Sequence, residues 1–213
     1  MSSKFSVALF IAACASALFA QQLKPVKLPS PKKKGGMPLM EALNARQSQR
    51  RYKDEEIPLT IISNMLWAAC GINRPEEKKR TAPSAMNNRE IDIYVATAFG
   101  AYRYDAAAHM LQPVASGDIR AKTGNQNFVA RAAVNLVYVA NYARMKKIAK
   151  EKKQIYAAAD AGFISQNVYL YCASEGLATV VRGSISRTAL AKALKLGSTQ
   201  EIILAQSVGY PDK

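Results

Sequence analysis

A long, nearly uncharged stretch, residues 154–176, constrains the fold of this chain more than any other feature. The residues that recur there at helical spacing are Ile155, Ala159, Gly162, Gln166, Leu170 and Ala173. Between Tyr156 and Ser174 the single charged residue is Asp160. A helix that is apolar nearly all round has to be buried on several sides. It is therefore either part of an interface between subunits or the central core helix of a monomer, and periodicity favours neither.

Residue patterns predict strands on both sides of this helix in the sequence, by alternation in 91–95 and by a β-rich apolar run in 134–139. The predicted strands are 91–95, 100–105, 110–114, 134–139 and 201–208, with the third antiparallel to the second. Helical patterns cover 38–50, 58–70, 117–124, 142–151 and 187–196. No internal repeat and no glycine-rich phosphate loop of the G-x-G-x-x-G or G-x-x-x-x-G-K-[ST] type occurs.

The composition fits one domain that has an anionic ligand or partner. The chain has 213 residues, of which 49% are hydrophobic, enough for one sizeable core. Lys and Arg number 30 against 15 Asp and Glu, so the formal net charge is +15. This excess favours phosphate-bearing cofactors, nucleic acid or an acidic membrane surface. Its two main clusters, 24–34 and 144–153, contain no aromatic residues for stacking on bases, so we expect no nucleic-acid partner.

The few potential soft metal ligands argue against a metal centre. The single histidine, His109, excludes a site with several histidines, and no C-x-x-C occurs, so we expect no metal. Cys70 and Cys172 lie in apolar helical patterns and are predicted to be buried thiols. A disulfide between them stays open at this stage.

The N-terminal region predicts an export signal followed by a linker. In residues 1–20, Lys4 precedes an apolar stretch that is too short to span a membrane, and cleavage after Ala20 is the first choice. We therefore expect the protein to be exported to the periplasm of a bacterium. The alternative is a lipoprotein with the lipid on Cys14, the one case in which we expect contact with a membrane. Residues 21–37, rich in proline and lysine, are predicted to be a linker or extended arm, and 38–213 the folded domain.

A dense group of arginines directly follows the first helical pattern. If the helix continues through residues 46–50, Arg46 and Arg50 share one face, with Ser48 between them in sequence. Two guanidiniums and a hydroxyl can hold the oxygens of a phosphate. Taken alone, such a basic helix end is more often a solvated surface.

Four motifs, in order, resemble those of the nitroreductase family of FMN-dependent oxidoreductases. They are Arg46-Gln47-Ser48-Gln49-Arg50, Ala82-Pro83-Ser84-Ala85-Met86-Asn87, Gly162 with Gln166-Asn167 and Gly176-Leu177-Ala178-Thr179, and Gly209-Tyr210-Pro211. Each is loose alone, but together they span residues 39–213. The predicted hairpin from Gly100 to Pro113 also resembles the branch that includes azoline dehydrogenases.

The resemblance implies an α+β fold, a mostly antiparallel central sheet wrapped by helices, in an intertwined homodimer with FMN at the interface. It implies that Arg46, Gln47, Ser48 and Arg50 hold the FMN phosphate and ribityl chain. It implies that Pro83, Ser84, Ala85 and Asn87 meet the isoalloxazine ring from the partner chain, and that the backbone of Arg182 and Gly183 passes near flavin N5. Lys213 is the residue that could supply the basic grip that many members have after Gly-Tyr-Pro.

The implied activity is electron transfer through flavin N5, by hydride or single electrons, to or from a small organic substrate such as a nitroaromatic or quinone. The electron donor is NAD(P)H or, because an exported protein meets little nicotinamide, another donor. No catalytic acid, base or nucleophile is nominated. Two alternatives are an exported FMN carrier without turnover and a basic module that binds anionic surfaces. Ser84 and Asn87 could also simply cap the turn after Pro83.

Overall fold

The computed structural model describes residues 23–212 and contains an antiparallel sheet as its main element. The strands of this part of the chain are β1 (Val26–Lys27), β2 (Ile72–Arg74), β3 (Lys79–Arg80), β4 (Ile91–Ala96), β5 (Gly100–Asp105), β6 (Met110–Ser116), β7 (Val134–Asn141), β8 (Ala178–Arg182) and β9 (Gln200–Gly209). Seven strands form one sheet in the order β1-β6-β5-β4-β7-β9-β8, and all neighbours run antiparallel. Strands β2 and β3 form a separate hairpin.

Helices cover both faces of this sheet. They are α1 (Leu39–Ala45), α2 (Leu59–Cys70), α3 (Lys153–Ser174) and α4 (Arg187–Ala193). On β4, the side chains of Ile91, Ile93 and Val95 pack in the core beneath α2 and α3, whereas Tyr94 and Ala96 pack in the core beneath α4. This two-residue alternation divides the interior into two layers. The predicted α+β class with an antiparallel sheet wrapped by helices is confirmed.

Helix α3 is buried on one side and exposed on another. Ala157, Ala161 and Val168 are completely buried, but Ile155 is 69% exposed and Phe163 is 48% exposed. Helix α1 contacts α3 and adds exposed apolar side chains at Leu39, Met40 and Leu43. Because a single chain leaves this apolar surface uncovered, the structure favours the subunit-interface alternative over a helix enclosed within a monomer.

The segment predicted to be an unpacked linker is, from residue 23 onward, packed against the domain. Strand β1 pairs with the edge strand β6, and Leu28 is buried in the core. The His109 ring lies 3.1 Å from the carbonyl oxygen of Pro29 and 2.7 Å from Ser63 Oγ. Further along, the Met37 N–H donates to Ser174 Oγ at 2.7 Å. Prolines exclude a helix but permit a short edge strand. The proline-rich composition therefore did not mean that this segment is unpacked.

Several predicted helices are shorter than their sequence patterns. The first ends at Ala45 rather than continuing to 50, and the last spans seven residues and ends at Ala193. The basic stretch 142–151 forms two separate 3₁₀ turns, not one helix. The five predicted strands are all present. Cys70 and Cys172 are both free and buried, as predicted for thiols.

Candidate functional site

The arginine-rich segment 46–50 lies in extended conformation beside β8 rather than on a helix. The Gln49 N–H donates to the Thr179 carbonyl oxygen at 2.9 Å, and Tyr52 Oη donates to the Gln49 carbonyl oxygen at 3.0 Å. The prediction that Arg46 and Arg50 share one helical face is therefore wrong, because α1 has already ended at Ala45. Tertiary hydrogen bonds at Gln49, not helical spacing, fix the backbone between these two arginines.

Tyr169 of α3 links this segment to the sheet. Its hydroxyl accepts a hydrogen bond from the Val181 N–H at 2.9 Å and lies 2.9 Å from Ser48 Oγ. The Arg46 guanidinium carbon lies 5.4 Å from the centre of the Tyr169 ring, within the range of a cation–π contact. The sequence analysis missed Tyr169, since helical periodicity marked its neighbour Leu170 instead.

The edge formed by residues 46–50 offers several donors to a ligand. Within residues 23–212, the backbone N–H groups of Gln47, Ser48 and Arg50 donate to no protein acceptor. The side chains of Gln47, Ser48 and Arg50 are exposed, and a cleft of about 200 Å³ opens beside Gln47 and Tyr169. Backbone N–H groups, a hydroxyl and two guanidiniums are the donor set that phosphate oxygens require. These residues therefore fit the phosphate end of FMN.

The side chain of Arg182 has a structural role. Its guanidinium donates to the carbonyl oxygen of Thr123 at 2.6 Å, to Asn135 Oδ1 at 2.8 Å and to Ser207 Oγ at 3.0 Å. Burial lowers the pKa of Arg182 to about 10. A cofactor can therefore meet only the backbone here, which is the contact that the resemblance implies. A Cβ added to Gly124 would lie 2.1 Å from Arg182 Nη1, so this network also requires glycine at that position.

A second loop lies along the segment that follows β8. The Asn125 N–H donates to the Ser184 carbonyl oxygen at 3.1 Å, and Asn125 Nδ2 lies 3.3 Å from Ser184 Oγ. Gly183 is exposed beside this contact, and Gln126 Oε1 is buried without a partner among the described residues. Asn125 and Gln126 are not among the predicted site residues. Their polar side chains make them additional candidates for contact with the flavin ring.

The loop from Pro83 to Arg89 has an unusual backbone. Met86, Asn87 and Arg89 all have positive φ angles, 51°, 55° and 49°, although none is glycine. Residues with side chains adopt this left-handed conformation at a cost of about 1–2 kcal/mol each, and such strain clusters at functional sites. Pro83, Met86 and Asn87 are exposed, so the tip of the loop is available for contact.

Two contacts hold this strained loop in place. Ser84 Oγ accepts from the Arg89 N–H at 3.0 Å, which joins the two ends of the loop, but it does not cap the 3₁₀ turn Ala85–Asn87 that follows it. The Ala85 N–H donates to Asp160 Oδ2 of α3 at 2.9 Å. Behind the loop, Glu90 is fully buried, and burial together with the neighbouring Asp160 carboxyl raises the pKa of Glu90 to about 7.

The predicted site residues form two groups within one chain. Residues 46–50 contact α3 at Tyr169, whereas the loop 83–89 contacts α3 at Asp160. Nine residues of α-helix separate these two anchors, about 13 Å at a rise of about 1.5 Å per residue. One chain thus brings residues 46–50 together with β8, but leaves the loop 83–89 farther toward the N-terminal end of α3. Lys213 lies outside the described residues.

Comparison with known proteins establishes the family. A sequence profile described as "Nitroreductase family" matches residues 43–210. The chain belongs to the nitroreductase family of oxidoreductases. It is 29% identical over 168 residues to a candidate nitroreductase of Methanocaldococcus jannaschii, covering 74% of this chain and 84% of that one.

Solved structures of nitroreductases share the fold. A candidate nitroreductase of Ralstonia eutropha JMP134 is 42% identical, with a TM-score of 0.86 over 90% of this chain and 91% of that one. A candidate nitroreductase of Desulfovibrio desulfuricans, solved in complex with FMN, is 24% identical, with a TM-score of 0.60 over 84% and 89% of the two chains. The predicted nitroreductase-like fold is confirmed. The narrower resemblance to azoline dehydrogenases stays a prediction.

The family match begins at residue 43, so the arm 23–37 lies outside it. Within residues 23–212, no helix of this nitroreductase is long and apolar enough to cross a membrane. In the same part of the chain, no group of three or more His, Cys, Asp or Glu side chains is arranged to hold a metal ion.

Proposed function

We propose that this nitroreductase binds FMN and transfers electrons between a donor and a small organic acceptor, such as a nitroaromatic or a quinone. The observation that carries the proposal is the donor edge at residues 46–50, fixed to β8 through Tyr169. FMN in the Desulfovibrio relative supports the same cofactor. When bound, FMN supplies hydride and single-electron transfer at N5.

The chain's own residues would bind and orient the cofactor. Arg46 and Arg50 neutralise the phosphate, while Ser48 and the free N–H groups around it donate to its oxygens. The hydroxyl of Tyr169 keeps Ser48 next to β8, because it bonds both Ser48 and the Val181 N–H. Further along β8, the exposed backbone at Gly183 provides the surface over which the ring would lie.

A second copy of the chain would complete the site. The loop 83–89 lies about 13 Å along α3 from the phosphate end, so its exposed tip is better placed to meet the flavin of a partner. The exposed apolar residues Ile155 and Phe163 of α3, with Leu39 and Met40 of α1, supply a surface for that partner. We therefore propose a homodimer with two FMN sites at its interface.

An absorbance spectrum tests the cofactor. Protein lacking residues 1–20 is incubated with FMN, desalted and scanned for the flavin bands. Retained flavin supports the proposal, and Arg50→Gln should lower that retention because it removes one phosphate partner. Glu41→Gln, an exposed change on the preceding helix, serves as the matched control. Colourless protein after desalting would contradict FMN binding.

Reduction of the bound flavin then tests for turnover. Bleaching by NADH or NADPH, followed by reoxidation with a nitroaromatic or quinone, establishes a two-step cycle with that donor. Bleaching only with dithionite would indicate a different physiological donor. Bound flavin that no donor–acceptor pair cycles would make the protein an FMN carrier.

We also propose, from the sequence alone, that the protein is exported. The support for export is Lys4 followed by the apolar stretch from Phe5 to Ala13, which lies outside the described residues. N-terminal sequencing of the protein from fractionated bacteria would give the cleavage site. A mature chain that begins at Gln21 supports a signal peptide, one that begins at a lipid-modified Cys14 supports a lipoprotein, and a chain that retains residues 1–20 in the cytoplasm contradicts export.

A further inference from the structure

A polar cleft of about 320 Å³ lies next to the loop 83–89, where β4 begins and β5 ends. Arginines dominate its lining, which contains Arg80, Arg89, Arg103 and Arg144. The acidic residues of the lining are Asp92 and Asp105. A concentration of guanidiniums around one concave surface is unfavourable unless counter-charges lie close to it.

The carboxylates of the cleft do not balance its arginines. Both Nη atoms of Arg144 lie 2.9 Å from the two oxygens of Asp92, so this pair neutralises itself. One oxygen of Asp105 accepts the N–H groups of Ala107 and Ala108 at 2.9 and 3.1 Å. Three guanidiniums therefore face one carboxylate, and the cleft keeps an excess positive charge.

These three guanidiniums also have donors to spare. Arg80 Nε is buried and donates to no acceptor within residues 23–212, and Arg80 Nη1 meets only the weak acceptor Cys70 Sγ, at 3.1 Å. Arg103 makes no side-chain hydrogen bond or ion pair in the same part of the chain, although it is partly buried. Arg89 makes one long bond, 3.3 Å, to the Lys78 carbonyl oxygen. An oxyanion in the cleft would give these donors partners.

We propose that this cleft binds the phosphate group of a small phosphorylated ligand. The three available arginines come from three elements: Arg80 from β3, Arg89 from the strained loop and Arg103 from β5. A planar carboxylate is satisfied by one guanidinium fork, whereas a phosphate presents oxygens in several directions and suits donors that surround it. The volume of the cleft leaves room for the group that is esterified to the phosphate.

This anion site is separate from the phosphate end proposed for FMN. It adjoins the loop 83–89, which contacts α3 at Asp160, while residues 46–50 contact α3 at Tyr169. If the proposed dimer is correct, the cleft lies beside the loop that meets the partner's flavin, so it would hold the phosphate of an electron donor or substrate. That last step rests on the proposed function, but the anion site itself does not.

Calorimetric titration tests the site. The protein lacking residues 1–20, saturated with FMN, is titrated with inorganic phosphate, with adenosine 2′-phosphate and with adenosine. We expect saturable binding of the phosphate-bearing probes that weakens as salt is added, and none of adenosine. Arg103→Gln should lower the affinity about tenfold, because a charge-assisted hydrogen bond is lost. Arg89→Gln, on another side of the cleft, should give a loss of similar size.

Two arginine controls make the result specific. Arg131→Gln removes an exposed charge outside the cleft, and Arg50→Gln removes one from the proposed FMN site. Both should keep the affinity for the phosphate probe. Equal binding of inorganic phosphate and adenosine 2′-phosphate identifies free phosphate as the ligand, and tighter binding of the nucleotide identifies an esterified one.

Three outcomes would overturn the inference. They are no saturable binding of either phosphate probe, binding of adenosine as tight as that of adenosine 2′-phosphate, and loss of binding in Arg50→Gln but not in Arg103→Gln. If the protein retains no FMN but still binds phosphate through Arg103, the proposed function fails and the anion site stands.

Discussion

The buried carboxyl group of Glu90 should make the stability of this protein depend on pH, and Glu90→Gln should remove that dependence. Glu90 is fully buried behind the loop 83–89, and neither of its oxygens has a hydrogen-bond donor among the described residues. Burial, followed by the neighbouring Asp160 carboxyl group, raises the pKa of Glu90 from about 4.5 to about 7. Arg144 opposes this shift but does not cancel it.

The sign and size of the effect follow from proton binding. Between pH 4.5 and 7 the folded protein keeps a proton on Glu90 that the unfolded chain has released. The folded state therefore binds more protons, and the free energy of unfolding falls as the pH rises through this window. With about 1.4 kcal/mol for each pH unit, the total loss between pH 4.5 and pH 7 approaches about 3 kcal/mol. Most of it should occur between pH 5 and pH 7.

Urea denaturation at several pH values measures this loss. Wild type, Glu90→Gln and Glu76→Gln are unfolded between pH 5 and pH 8 at one protein concentration. A glutamine at position 90 stays neutral and can donate to Asp160. The free energy of unfolding of Glu90→Gln, relative to that of wild type, should therefore rise by about 2–3 kcal/mol between pH 5 and pH 8. Glu76 is exposed, so Glu76→Gln should follow wild type. Any ligand common to the three proteins cancels in these differences.

Parallel stability curves for wild type and Glu90→Gln would refute this reasoning. They would mean that Glu90 ionises with an ordinary pKa, so that water or movement of the loop solvates it. A loss of stability in Glu90→Gln that is equal at every pH would mean that the side chain matters for packing alone.

Three further predictions concern the site and its support. Tyr169→Phe leaves the Val181 N–H without its acceptor and should lower both the stability, by about 1–2 kcal/mol, and the affinity for FMN, measured by flavin fluorescence. Gly124→Ala puts a Cβ 2.1 Å from Arg182 Nη1 and should lower the midpoint of thermal unfolding. The control is Gly117→Ala, whose Cβ would lie in open space, so it should lower the midpoint only through the strain of its positive φ. Leu28→Ala should cost about 2–4 kcal/mol in urea denaturation if the arm packs as described, and no change would show that it does not.

Five of the nine strands in the described residues could be read directly from the sequence. Ile91–Val95 alternates with the two-residue period of a strand, and Val134–Val139 is an apolar run rich in β-branched residues. Both segments are strands in the structure. The burial of the thiols Cys70 and Cys172 could also be predicted, because each lies in an apolar helical pattern. These are local signals, because burial of one face imposes a period on neighbouring residues.

The motif residues were found in the sequence, but their geometry was not. Residues 46–50 carry the donors that a phosphate requires, and the sequence pattern predicted that they continue the first helix. In the structure that helix ends at Ala45. Beyond the end of that helix, the Gln49 N–H bonds to the carbonyl oxygen of Thr179, a residue 130 positions away. Arg182 similarly was identified by position, while its partners at Thr123, Asn135 and Ser207 become visible only when four distant segments meet.

The amino-acid sequence by itself determined the class of fold, the family motifs and the chemical groups available to a phosphate. Only the tertiary structure decided that the arm from residue 23 adds a strand to the sheet, that Tyr169 joins the arginine segment to β8, and that arginines from three different elements share one cleft. The physical reason is that periodicity and composition report on neighbours along the chain. Edge pairing, buried hydrogen-bond networks and convergent charges depend on residues that only folding brings together.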